Sequence, residues 1–329
     1  MARNILLSLV LIHFLSGCTN LTQAWPAEHV LAGAHEFGTT ALAFTPDGQR
    51  FISGGYKGEL RVWDAATQRT LSRAPAHRGA VRAILPLDPG NFVSGGDDGR
   101  LILWRGNRIK AQISGAGVTA LALFQGRVVS GHDDGRLRVW SADTLQAVRE
   151  IPLDDDVMAL SAHRDRLAVG MAHAIRLLNT DFKTYKSLPA PRTPHDLQFS
   201  PDGRTLVAGN WFNLSVWDVA SGTTRSIPTE HHGLLTSVAF SPDGRYLATL
   251  GRHTDSAIRV LSTTDFSVVQ RYQAHDLCGA IIRFSPDGKM MASGSDDESV
   301  RLYRTAQIHS GNAQSSKTQS RSGAIPSAH

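Results

Sequence analysis

The chain has 329 residues, 41% of them hydrophobic and 19% charged, with a formal net charge of +5; these figures exclude a disordered chain and a multi-span membrane protein. The pI is near 9.5, but the basic residues are scattered singly instead of forming runs, which argues against nucleic acid as a partner. Two cysteines, Cys18 and Cys278, leave no room for a disulfide framework or a cysteine-built zinc site within the chain.

The first element is an address. Arg3 precedes an apolar run from Ile5 to Leu15, broken only by Ser8 and His13, too short to span a bilayer and proportioned like a signal-peptide core. Its end, Leu15-Ser16-Gly17-Cys18, resembles the bacterial lipobox. That resemblance implies a signal segment over 1–17, acylation of Cys18, and a short linker over 18–27. Each buried acyl methylene contributes about 0.8 kcal/mol, so several chains would hold a soluble domain firmly. The expectation is a lipid-anchored protein of the bacterial cell envelope facing the periplasm, and Thr19 after the cysteine favours the outer membrane over the inner. An ordinary cleaved signal or an uncleaved anchor is the alternative.

From residue 28 a repeat governs the chain. Trp63, Trp104, Trp140, Leu178, Trp217, Leu261 and Tyr303 fall in register at spacings of 41, 36, 38, 39, 44 and 42, and periods near 40 mark propellers and solenoids. FTPDG at Phe44 and FSPDG at Phe199, Phe240 and Phe284 supply tight turns, with proline presetting φ and glycine supplying a positive φ. SGGDDGRLILW (94–104) and SGHDDGRLRVW (130–140) add hairpins with period-2 alternation. Seven registers of hairpin-linked strands predict seven four-stranded antiparallel blades.

These phrases, with Trp63-Asp64 and Trp217-Asp218 themselves, resemble the WD40 family over about residues 28–304. The resemblance implies an all-β, seven-bladed propeller with a buried hydrogen-bonded set in each intact blade. His77, Ser94, Asp98 and Trp104 supply all four members in blade two. Blade one offers His35, Ser53 and Trp63, with Lys57 in the aspartate slot. Blade three offers Ser130, Asp134 and Trp140 without the histidine, and blade seven His275, Ser293 and Asp297 with Tyr303 for tryptophan. Blade four has Ala168, Ala172 and Leu178 at those positions, and blade five has Trp211 in the aspartate slot, so apolar packing must hold both.

Sequential blades leave the first and last unjoined, so closure needs a strand from the other chain end. The segment from Trp25 to His35 has the form of the fourth strand that precedes each later histidine, which predicts that Val30 to Ala32 pair into blade seven. From Thr305 to the end the composition, rich in Ser, Thr, Gln and Gly with little apolar content, predicts a disordered tail.

Equivalent loops converge on one face of a propeller. The family's narrower top face, carried over by position, receives Glu36, Tyr56, Lys57, Arg78, Asp97, His132, Asp133, Asn210, Trp211, His232, Arg252, Asp276 and Asp296, as a surface for protein partners. Trp211 with Phe212 reads either as a packing replacement or as an exposed anchor. The triple Asp154-Asp155-Asp156 lacks EF-hand spacing and reads as a solvated turn. No HExxH, GxSxG or P-loop occurs. The reading is a monomeric, non-catalytic scaffold with no cofactor and no metal. Its alternatives are a periplasmic propeller enzyme, lactonase-like or metal-dependent, with His132, His232 and His253 as a conceivable metal trio, and an accessory factor of a periplasmic redox or maturation system. Cys278 is expected as a buried, inert thiol in the first strand of blade seven.

Overall fold

The apolar alternations between turns become short strands, because β-branched and aromatic side chains on alternate faces pack best on a pleated surface. The computed structural model describes residues 24–253, 255–306 and 308. Its strands form seven four-stranded antiparallel sheets. Blade one comprises Thr39–Phe44, Arg50–Gly55, Glu59–Asp64 and Thr70–Pro75. Blades two to six follow in chain order over 81–114, 118–152, 159–189, 197–228 and 234–272.

Blade seven takes three strands from 279–304 and its fourth from His29–Leu31. His29 pairs with Leu302 and Leu31 with Val300. The closing strand therefore stands one residue earlier than the expected Val30–Ala32. Before it, Trp25 forms a parallel bridge with Tyr272 on the outer strand of blade six, donating to Arg271 O at 2.9 Å and accepting from Gln273 N at 2.8 Å. The folded unit thus begins ahead of residue 28 and fastens to two blades.

The chain also stays packed beyond residue 304, where the composition predicts disorder. Thr305 and Ile308 are buried, Thr305 Oγ1 donates to Gly288 O at 2.5 Å, and Ile308 joins the apolar layer between blades six and seven. One isoleucine in a polar run carries no periodic signal, so composition alone does not reveal this contact. The signal segment 1–17, Cys18 and residues 309–329 lie outside the described residues. Among those described, no helix is long and apolar enough to cross a membrane.

The core is divided among the blade interfaces. Between blades one and two lie Ala41, Ile52, Leu60, Val81, Phe92, Ile102 and Trp104, and the pattern repeats around the ring. The Ser-Gly-Gly phrase has a steric reason. A Cβ on Gly95 would stand 2.3 Å from Val118 of the next blade, and one on Gly96 2.7 Å from the His77 ring. At the opposite end, the hydroxyl of each Ser/Thr-Pro-Asp-Gly turn donates to its aspartate, as Ser241 does to Asp243 at 2.6 Å, and accepts the N–H of Tyr246 at 3.0 Å.

Candidate functional site

Inside blade two a directed relay satisfies every buried polar group. Trp104 Nε1–H donates to Ser94 Oγ at 3.0 Å, the Ser94 hydroxyl meets His77 Nε2 at 2.9 Å, and His77 Nδ1 meets Asp98 at 2.9 Å. A neutral imidazole fits these roles, accepting at Nε2 and donating at Nδ1. Burial depresses the His77 pKa against the opposing pull of Asp98. The relay ties the loop entering the blade to its second and third strands.

The other blades vary this scheme. In blade seven His275 lies 2.9 Å from Asp297 and 2.7 Å from Ser293, whose hydroxyl is 3.3 Å from Tyr303 OH. In blade one Trp63 donates to Ser53 at 2.8 Å and Ser53 meets His35 at 2.7 Å, but His35 Nδ1 is buried without a hydrogen-bond partner. Its nearest carboxylate, Glu59, stands 3.6 Å away, and burial pushes the His35 pKa down to about 4.

Blade three corrects two assignments. His132, placed on the partner face, is buried. Its Nε2 lies 2.7 Å from Ser130 Oγ and its Nδ1 3.0 Å from Ala116 O, so this histidine enters from the serine's own strand and completes the relay with Trp140. Asp134 stands outside the relay and pairs with Arg138 at 2.6 Å. Asn210 is also withdrawn from the partner face, buried with its Nδ2 donating to Ser215 at 2.5 Å. In blade five Trp217 donates instead to Pro189 O at 2.9 Å.

Blade six holds a relay whose aspartate the sequence concealed. His231 meets Asp255 at 2.9 Å and Thr249 at 2.8 Å, and Arg259 pairs with the same carboxylate at 2.9 Å. Burial raises the Asp255 pKa, but the hydrogen bond from His231 and the Arg259 charge outweigh it and hold the group well below the carboxylate range. Asp255 lies six positions after Thr249, whereas Asp98 lies four after Ser94; the longer turn hid it.

On the axis, a channel of about 620 Å³ is lined by inner strands of six blades and, at blade five, by His195 and Asp196 just before its inner strand. Five of those strands carry a bulge near their start, which turns Thr40, Arg82, Thr119, Thr236 and Ala280 to its wall. Thr40, Thr119 and Thr236 donate to Val81 O, Val157 O and Gly279 O of the next blade at 2.6, 2.5 and 3.0 Å. Arg82 grips Asp97 at 2.5 and 2.9 Å, and Arg252 of blade six bridges to Asp296 of blade seven at 2.9 Å. Deeper, Arg283, Ser237 and Asp196 interlock across blades five to seven. Tyr56, Asp133 and Asp156 complete the mouth.

Around that mouth, Lys57 pairs with Glu36 at 2.7 Å and lies 4.5 Å from the Phe37 ring centroid. Arg78 and His232 are exposed, their backbone N–H groups donating to Asp98 and Asp255. Asp276 is exposed and pairs with Arg301 at 2.9 Å. Trp211 is 44% exposed and Phe212 50%, with Trp211 stacked on His253 at 5.5 Å, so the pair is a surface feature and does not replace a lost buried network. Asp154 pairs with Arg176, and Asp155 accepts from Ala172 N at 3.2 Å. Among the described residues no three His, Cys, Asp or Glu side chains gather as a metal-holding group. Cys278 is half-buried and directly precedes the blade-seven strand Gly279–Phe284.

A closed ring of radial sheets with hydrogen-bonded relays between loop and strands defines a seven-bladed β-propeller of the repeat-built kind. The chain carries WD40 repeats: the family described as "WD domain, G-beta repeat" matches residues 28–64, 68–105, 222–261 and 266–304. The stretch between the second and third matches holds blades three and four and the first three strands of blade five, and none of these blades has a histidine relay entering from the preceding loop. Similar proteins include Protein HIR1 of Candida albicans, 30% identical over 33% of this chain and 14% of its own length. Cilia- and flagella-associated protein 52 of Sus scrofa is 25% identical over 70% of this chain and 33% of its own. Protein groucho of Drosophila melanogaster is 35% identical over 31% of this chain and 14% of its own. The chain thus spans a third or less of these relatives' length.

Proposed function

We propose that the chain is a non-catalytic scaffold that holds protein partners on the top face of its propeller, tethered to a membrane of the bacterial envelope through Cys18 and facing the periplasm. The observation that carries the reading is the exposed Trp211-Phe212 pair beside the channel mouth, since half-exposed aromatics in a rigid polar setting are the usual anchors of protein interfaces. Asp97 and Asp296 at that mouth are engaged by Arg82 and Arg252, which suits recognition better than proton transfer.

Comparing proteins captured from detergent-solubilised membranes by the wild-type chain and by a chain with Asp97→Asn and Trp211→Ala tests the face. Loss of specific neighbours in the variant is expected, and identical recovery would refute the assignment. Cys18→Ser tests the tether, with release of the protein into the soluble fraction expected. Persistence in membranes would refute acylation as the anchor. A second reading, an enzyme working in the axial channel, is favoured by the cavity of about 620 Å³, a size that suits small ligands. One equivalent of divalent metal in the purified protein would support it.

A further inference from the structure

We propose that the partner of the top face is a protein segment with large apolar side chains next to lysine or arginine, its apolar part laid over blades five to one and its basic part over blades three and four. This deepens the scaffold reading and rests on it.

Register around the ring carries the first half. Two residues after the relay histidine, each entering loop reaches the same radial slot. At the junction of blades seven and one the slot holds Phe37, 59% exposed, and at the junction of six and seven Leu277, 57% exposed. At the junction of five and six it holds Gly233, whose carbonyl accepts the Phe212 N–H at 3.0 Å, so that Phe212 and Trp211 stand over it. Three consecutive junctions therefore present apolar side chains to solvent. The junction of one and two has Gly79 there instead.

Backbone strain makes the same point independently. Phe37 and Phe212 both have φ of 64°, a left-handed conformation that costs a bulky L-residue about 1–2 kcal/mol. The other apolar residues in this conformation gain packing in return: Leu145 and Phe266, at φ 54° and 60°, are buried, and Phe182, at φ 59°, packs against the core of blades three and four. Among the described residues Phe37 and Phe212 make no such burial, and strain of this kind gathers where a ligand is gripped.

Charge complementarity names the other half of the partner. Asp133 and Asp156 line the channel mouth on blades three and four, and among the described residues neither carboxylate has a hydrogen-bond or ion-pair partner. The whole chain is +5, so this arc is acidic against a basic background. A segment placed across the mouth reaches both arcs, because Arg252, which lines the channel, precedes His253, on which Trp211 stacks.

The test is selection of random twelve-residue displayed peptides on the immobilised full chain. Enriched peptides are expected to pair Trp, Phe, Leu or Met with a surplus of Lys and Arg. Their binding should weaken about tenfold or more with Phe37→Asn plus Trp211→Ser, and should lose its salt sensitivity with Asp133→Asn plus Asp156→Asn. All four side chains lie at the surface, and unchanged thermal melts establish that the variants fold. Peptides that are acidic or uncharged, or no enrichment at all, would overturn the inference. If such peptides still lose binding when Trp211 is changed, the scaffold reading stands and only the partner chemistry falls; if no top-face change matters, both fall. Sedimentation showing a dimer that Trp211→Ser dissociates would make a second copy the occupant and overturn it as well.

Discussion

Among the described residues His35 is the one relay histidine left with a stranded donor, and the reason is a single side chain. Lys57 stands four positions after Ser53, where blade two has Asp98 four after Ser94. Lys57→Asp is expected to give His35 Nδ1 an acceptor and stabilise the fold by about 1 kcal/mol. A thermal melt should rise by about 2 °C; a fall would show that the lost Lys57–Glu36 pair or the nearby Glu59 matters more. At this scale the sequence disclosed side chains but not always their route. His77, Ser94, Asp98 and Trp104 were legible because the turn between the second and third strands has its usual length. Asp255 was hidden by two additional residues, and His132 by entering from the serine's own strand. Exposure could not be read at all, since Asn210 and Trp211 are adjacent in one polar turn, yet one is buried and the other is not.

Outer strands face an old hazard, an unpaired sheet edge. The chain blunts it with irregular pairing at Leu71, Lys110, Val148, Tyr185 and Val269, each lying in a register break of its outer strand, and with Pro75, Pro152, Pro189 and Pro228 at strand ends. Bulges twist an edge away and proline offers no donor. The edge that matters most is covered by His29–Leu31. Deleting residues 24–31 is expected to remove most of the stability of the ring, on the order of several kcal/mol. Amides of Val300–Arg304 should lose hydrogen-exchange protection first, and retained protection there would show that blade seven closes without its fourth strand. This element was legible because it repeats the form of the strand before His275, whereas the packing of Ile308 was not, because nothing repeats it.

Across the molecule the buried histidines respond to acid in one direction. Burial lowers the pKa of His35, His77, His132, His231 and His275. The unfolded chain binds protons at these sites near pH 6.5 while the folded chain resists, so stability falls as pH drops below that value. For His35, shifted to about 4, the loss reaches about 3 kcal/mol by pH 4. Asp255 and Asp297, held below the usual carboxylate range, then lose their stabilising ionisation as pH falls further. Urea midpoints at pH 7.5, 6 and 5 should decline steadily, less so in His35→Gln; a flat profile would contradict buried neutral imidazoles. Closure imposes an order of events as well. Glu28 and Arg304, 276 positions apart, form an ion pair across the seam, so the outer strand of the last blade leaves the ribosome 276 residues ahead of its neighbour and waits for it. At about 5–20 residues per second that interval is tens of seconds. A nascent chain of this design keeps its ring open until the neighbouring strand of the last blade arrives.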